Sequence, residues 1–403
     1  MKHGAYPNDD DIPIAIASPA FGSDQQQGPR TLLTKGRSSR VVIPESSNPN
    51  DTAHELTEDE IRSLKAQGFT TGLIHAMSRN NRTFPLRFWV VDNSGSMSMD
   101  DGHRIAESLS ANIVKLVKCS RWSELQQTVE YHAQLARVMR SPTVFRLLND
   151  PGRLVGPQQF SIAERKGASE MNADLQIALN TMRQASPSGC TPLSEHIFEI
   201  RENILAMLPQ LQATGQKVAI ILATDGLPSD SYGTCNSRTR EEFETNLLSL
   251  AGLPVWIVVR LCTDEEAVVD YYNNLDNQLE LSLEVLDDWI GESKEVHQFN
   301  PWLTYGLCLH RIREMGFHHR LFDLLDERKF NMDEMREFFV LLLGPDAMDG
   351  VPDPNLDFDG FCYGINHAVQ KEGKLWNPVT EKMAYWIDMK KLKSSYGKGC
   401  TIM

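Results

Sequence analysis

From residue 86 onward, short apolar runs alternate with segments of helical period, and no other feature restricts the fold as strongly. "LRFWVV", "TVFRLLN", "KVAIILAT", "PVWIVVRLC" and "LSLEVL" read as strands, with residues 171–184, 193–208, 238–250 and 264–279 as helices among them. A further helix is expected after Asp100 and Asp101. Their carboxylates suit a helix N-terminus, and Ile105, Leu109, Ile113 and Leu116 follow at helical spacing. "QQTVEYHAQLA" fits either a strand paired antiparallel with "TVFRLLN" or a helix. The order predicts the α/β class, a Rossmann-like, open, mostly parallel sheet flanked by helices.

Different compositions flank this pattern. Residues 1–52 are rich in Pro, Ser, Gly, Asn and Gln, too polar to bury the area that offsets ordering entropy, and read as a disordered arm. Residues 53–83 read as a helical lead-in, because Thr57 and Glu60 form a capping box before "IRSLKAQGF". The sheet domain is expected over 84–297. Beyond about residue 298 the strands stop, and "WLTYGLCLHRIREMG" and "MDEMREFFVLLLGP" are helical. The second of these has Asn331 and Glu334 as its cap and Gly344-Pro345 as its stop. A smaller helical region over 298–385 and a basic tail over 386–403 complete the expected organisation.

Composition narrows the function classes. The chain has 403 residues, 41% of them apolar, with no apolar run long enough to span a bilayer and no apolar stretch in its first residues. Its net charge of −14 and the lack of a basic, aromatic-interleaved stripe argue against nucleic acid as a partner. The seven cysteines form no Cys-x-x-Cys, which predicts a reducing, cytoplasmic setting without a zinc knuckle or a disulfide framework. His318-His319 has no metal-ligand companion at a recognised spacing.

Ligands of open parallel sheets bind beyond the carboxyl ends of the strands. Three loops fall at or beside such ends: "VVDNSGSMS", "SPSGCTPLSEH" and "LATDGLPSD". They supply Asp92, Ser94, Ser96, Thr191 and Asp225, two carboxylates and three hydroxyls with no sulfur or imidazole, a set suited to Mg²⁺ or Mn²⁺ and less to Ca²⁺. Gly95 lets the backbone bend so that Ser94 and Ser96 face one point. Hydroxyl ligands are neutral, so an ion held by them keeps charge for a partner's carboxylate. A serine nucleophile would need Gly-x-Ser-x-Gly, which is missing. A phosphate loop would need Gly-x-x-x-x-Gly-Lys, which is missing. No catalytic residue is assigned.

These residues give the chain its resemblance to the von Willebrand factor type A (vWA) family. Its metal-ion-dependent adhesion site (MIDAS) has the pattern Asp-x-Ser-x-Ser with a separate Thr and a separate Asp. "DNSGS" at 92–96, Thr191 in "GCTPL" and Asp225 in "TDG" fill all five positions. The resemblance covers roughly residues 84–297. It implies that Ser94, Ser96 and one or both of Asp92 and Asp225 touch the metal directly or through water, with Thr191 entering or leaving as its loop shifts. An Asp or Glu carboxylate on a protein partner would complete the site, making the chain an interaction module, a scaffold or a signalling adaptor. The alternatives are an enzyme, or a regulatory subunit of an ATPase or chelatase-type complex, using the same metal site.

The last four residues, "CTIM", resemble a protein farnesyltransferase substrate, which places lipidation on Cys400. Lys390, Lys391, Lys393 and Lys398 reverse the local charge of an acidic chain and would add electrostatic attraction to an anionic membrane surface. The expected location is therefore peripheral, on the cytoplasmic face of a membrane. "DAMDGVPDPNLDFDGF" ends like a calcium loop, but Gly360 stands where the bidentate Glu belongs and Pro352 and Pro354 interrupt the ligand spacing. A calcium-responsive membrane binder is the remaining alternative.

Overall fold

The computed structural model describes residues 56–108, 113–165, 167–279 and 281–397. Six strands form the central sheet: β1 (Leu86–Val91), β4 (Thr143–Leu147), β5 (Gln159–Ile162), β6 (Val218–Thr224), β7 (Val255–Leu261) and β8 (Leu283–Leu286). Their order is β5-β4-β1-β6-β7-β8, and all pairs are parallel except β4 with β5. Every residue of β1, β6 and β7 is buried, as expected of strands covered on both faces.

Side chains alternate between the two faces. Phe88, Ile220 and Ile257 pack with Ile197, Ile200 and Ile204 of α5 (Leu193–Thr214), and the same core takes in α6 (Ser237–Leu248) and α7 (Glu266–Gln278). Trp89, Ile221 and Val258 share the other core with α3 (Arg121–Met139) and α4 (Ala168–Gln184). The protein is of the α/β, Rossmann-like class. The chain crosses from β1 to β4 on one side and β6 pairs on the other, so the strand order switches direction at β1. Such a switch opens a crevice at the carboxyl end of the strand.

Two local expectations are corrected and one open reading is resolved. The segment after Asp101 is a hairpin, β2 (Gly102–Ser108) with β3 (Ile113–Cys119), rather than a helix. The β-branched Val114 and Val117 of β3 favour a pleated surface. The hairpin is also clasped to α3, where Glu124 Oε2 accepts from His103 N at 2.8 Å and Gln127 exchanges bonds with the Ile105 backbone at 2.8 Å each way. "QQTVEYHAQLA" lies within α3, and the antiparallel partner of β4 is "QFSI" in β5. Strands also continue beyond residue 298, as the hairpin β9 (Lys374–Asn377) and β10 (Lys382–Tyr385).

Outside the sheet, α1 (Glu58–Ala66) and α2 (Thr71–Thr83) precede β1. Thr57 and Glu60 make the expected capping box. After β8 come α8 (Trp289–Phe299), α9 (Leu307–Glu314), α10 (Arg320–Glu327), α11 (Met332–Leu343), α12 (Pro345–Met348), α13 (Phe358–Glu372) and α14 (Met389–Tyr396). Asn331 and Glu334 cap α11 as expected. Leu64, Leu73 and Met77 from the lead-in enter one core with Trp302, Phe338, Phe339 and Leu342, so these distant segments form a single unit. Gly72 allows this closeness, since a Cβ there would sit 2.4 to 2.6 Å from backbone atoms of Gly344, Leu341 and Leu342. Trp386, Ile387 and Leu392, from the segment read as tail, belong to the same core.

Buried arginines join this unit to the sheet. Arg87 of β1 donates to Met315 O at 3.0 Å and to Asn80 Oδ1 at 2.8 Å. Arg313 of α9 holds Glu284 of β8 at 2.7 Å, Asp326 of α10 at 2.9 Å and Glu292 of α8 at 2.5 Å. Among the described residues no helix is long and apolar enough to cross a membrane. The expected arm over 1–52, Lys398 and Cys400 lie outside the described residues.

Candidate metal centre

The register of the sheet brings the first and third loops together. Val91 of β1 pairs with Ala223 of β6, and Asp92 N donates to Ala223 O at 2.9 Å. Asp92 therefore leaves its strand beside Thr224 and Asp225. Its carboxylate is fully buried, Oδ1 accepting from Ser94 N at 2.8 Å and Oδ2 from the Thr224 hydroxyl at 2.6 Å. Ser94 Oγ lies 3.0 Å from Ser96 Oγ, which donates to Asp225 Oδ1 at 2.9 Å. Ser94 and Asp225 are buried, while Ser96 is exposed and opens the cluster to solvent.

The second loop is tied to both. Thr191 N donates to Ser229 Oγ and Ser229 N returns to Thr191 O, each at 2.9 Å. A Cβ on Gly226 would be 3.7 Å from the Thr191 hydroxyl, so that hydroxyl borders the residue next to Asp225. Gly95 N donates to Gly189 O at 3.1 Å, and Ser188 N to Asn93 O at 2.7 Å. Asn149, just beyond β4, completes the support by donating its backbone N–H to Asn93 Oδ1 and its side-chain amide to Cys190 O, each at 2.8 Å. Gly189 has φ +86°, and a Cβ there would lie 2.5 Å from Asn149 Oδ1, so only glycine fits this turn.

Thus Asp92, Ser94, Ser96 and Asp225 form one bonded cluster with Thr191 at its border. One participant belongs to none of the three motif loops. Arg121, 1% exposed, donates to Asp225 Oδ2 at 2.9 Å and also holds Asp101 at 2.6 Å and Glu265 at 2.8 Å. It is the first residue of α3, after Ser120, whose side chain accepts from Ser123 N. The only sequence signal for it was that cap, hidden while the helix was expected some twenty residues earlier.

The electrostatics leave room for a cation. Burial pushes the Asp92 carboxyl up to about 6, with Asp225 adding repulsion. Burial also raises Asp225, although Arg121 and Ser96 pull it down. Around this point one guanidinium faces four carboxylates: Asp92, Asp101, Asp225 and Glu265. An all-oxygen cluster with excess negative charge and a solvent-facing hydroxyl fits a hard divalent ion. A second acidic cluster, Glu292, Glu295 and Asp326, has ligand atoms within 4.8 Å of one another, but Arg313 already pairs with Glu292 and Asp326.

In the acidic loop, Asp357 Oδ1 accepts from Gly360 N at 2.9 Å as the N-cap of α13, so that carboxylate has a local structural use. No protein-family model matches the sequence, and no curated protein is similar to it at a significant level.

Proposed function

We propose that the chain is a divalent-metal-dependent protein-interaction module of the vWA type, acting as a scaffold or signalling adaptor. In this reading Asp92, Ser94, Ser96, Thr191 and Asp225 hold Mg²⁺ or Mn²⁺ and a partner's Asp or Glu carboxylate completes the site. The observation that carries the reading is the bonded series Ser94–Ser96–Asp225 with Asp92 buried beside it at the sheet's switch point. When bound, the metal supplies positive charge with exchangeable positions, because its hydroxyl ligands are neutral. The chain's own groups orient and limit that charge. Thr224 and Ser94 N fix Asp92, Arg121 fixes Asp225, and exposed Ser96 marks the open side. The test is retention on a resin bearing a Glu-containing peptide. Retention in magnesium, its loss in chelator and its loss in Asp92→Ala are expected; retention that ignores both chelator and substitution refutes the reading.

We further propose attachment to the cytoplasmic face of a membrane through farnesylated Cys400 and the nearby lysines. The position of α14 supports this. Leu392 is fully buried and Tyr396 Oη donates to Phe330 O at 2.7 Å, which seats the helix on the protein body just before the last residues. Lys390 and Lys393 remain exposed, while Lys391 Nζ lies 3.3 Å from His297 Nε2. A single lipid chain binds marginally, and each lysine near an anionic leaflet adds about 1 kcal/mol. Cys400→Ser is expected to release a fluorescent fusion from membranes into the cytosol. An unchanged distribution by imaging and fractionation would rule out the anchor.

A further inference from the structure

Where the β2–β3 hairpin, α3, the end of β7, α8 and α9 meet, there is a cavity of about 30 Å³ that none of the five oxygen ligands lines. Part of its lining is apolar, from Ile105, Leu116, Trp289, Ile290 and Leu307. The rest is polar and balanced in charge at its centre. Arg260 bonds Glu124 and lies 3.4 Å from Glu314, while Arg311 donates to Glu314 at 2.7 Å and to Thr128 at 3.0 Å. Two guanidinium groups thus offset two carboxylates. Asp288 also lines the space, with Oδ1 accepting from Gly291 N at 2.6 Å.

Two lining residues keep buried polar atoms without a hydrogen bond. His310 is 2% exposed, and neither ring nitrogen has a hydrogen-bond partner among the described residues; the same holds for Arg311 Nε. Buried polar groups are rarely left so. Burial lowers the His310 pKa and keeps the ring neutral, with one donor and one acceptor nitrogen. Nε2 is 3.5 Å from Glu314 Oε1, so the carboxylate favours the proton on Nε2 and leaves the Nδ1 lone pair free. A ligand that satisfies both atoms donates to Nδ1 and accepts from Arg311 Nε–H. A hydroxyl does both. A charged ligand would enter a site whose charged groups already bond one another or, for Asp288, a helix N-terminus, at a cost in free energy.

We propose that this cavity binds the hydroxyl head of a small uncharged molecule, an alcohol or diol of a few carbons, whose chain lies along Ile105, Trp289 and Leu307. A water-sized group needs roughly 10–15 Å³, so the space admits the head group alone and the chain extends toward the hairpin. The test uses the full chain with 1-butanol and 1,2-butanediol as probes, and butyrate and butylamine as charged counterparts, in ligand-observed saturation-transfer NMR and calorimetry. Saturable binding of the alcohol and diol is expected, with the charged probes at least about tenfold weaker. Leu307→Trp, which fills the cavity from its wall, should abolish that binding without lowering the unfolding midpoint. Should this variant fold poorly, Ile105→Trp on the hairpin gives the same readout. Binding that survives a filling variant, or a preference for a charged probe, overturns the proposal. So does the lack of saturable binding by either uncharged probe, which would leave the cavity to water.

Discussion

Asp92→Asn is expected to make the metal-free protein more stable at neutral pH while abolishing its stabilisation by magnesium. The wild-type carboxyl is raised from 3.8 to about 6 by burial and by Asp225. A carboxyl raised by folding binds its proton more tightly in the native state, so stability declines as pH rises from about 4 to about 6 and stays lowered above that. At 1.36 kcal/mol per pKa unit the penalty at pH 7 is about 3 kcal/mol, to order of magnitude. Asparagine keeps the shape and removes the charge. In chelator, urea unfolding should therefore show the variant ahead by about 1–3 kcal/mol at pH 7, with little difference below pH 4. Magnesium at a hundred times its Kd should add about 2.7 kcal/mol to the wild type and nothing to the variant. Equal magnesium responses would remove Asp92 from the site.

Arg313→Met is expected to cost about 3–5 kcal/mol at pH 7, the range for breaking a buried ion pair by removing one partner. Methionine replaces much of the volume but strands Glu284, Glu292 and Asp326, which converge on this guanidinium from the sheet edge and two helices. Burial already holds Glu284 and Glu292 above the usual carboxylate range, with Arg313 acting to lower them. Without it their pKa values rise further and the carboxyls fold protonated. The deficit should therefore shrink as pH falls toward 4, since raised carboxyl groups favour the native state at low pH. Adding Glu284→Gln to Arg313→Met should restore part of the loss, as expected for directly coupled residues. A single variant as stable as wild type across pH 5–8 would show that the ion pairs contribute nothing.

The extent to which the sequence foretold this arrangement follows from the range of the interactions. Strands β1, β6 and β7 were legible because burial on both faces demands uninterrupted apolar runs, as in "KVAIILA". Asp92, Ser94, Ser96 and Asp225 were legible because each lies within a few residues of such a strand end. The hairpin was misread because Ile105, Leu109, Ile113 and Leu116 happen to repeat at helical intervals. What holds Gly102–Ser108 extended is Glu124 and Gln127 of α3, reached only in three dimensions. Arg121 was missed for the same reason: its partner Asp225 is 104 positions away. The docking of α14 depends on Leu392 and Tyr396 finding a core assembled from other helices, which no local pattern records.

The pairing of α2 with α11 sets an order of events during synthesis. Thr70 bonds Leu342 O, 272 positions later. At ribosomal speeds of 5–20 residues per second, roughly 14 to 54 s separate the emergence of these partners. All six strands of the central sheet emerge within that interval, so the sheet can close before the helices that complete the core around Leu64, Leu73 and Met77 exist. Completion of that core depends on the carboxyl-terminal helices, so a ribosome stalled before α11 would hold a formed sheet with an unfinished amino-terminal flank.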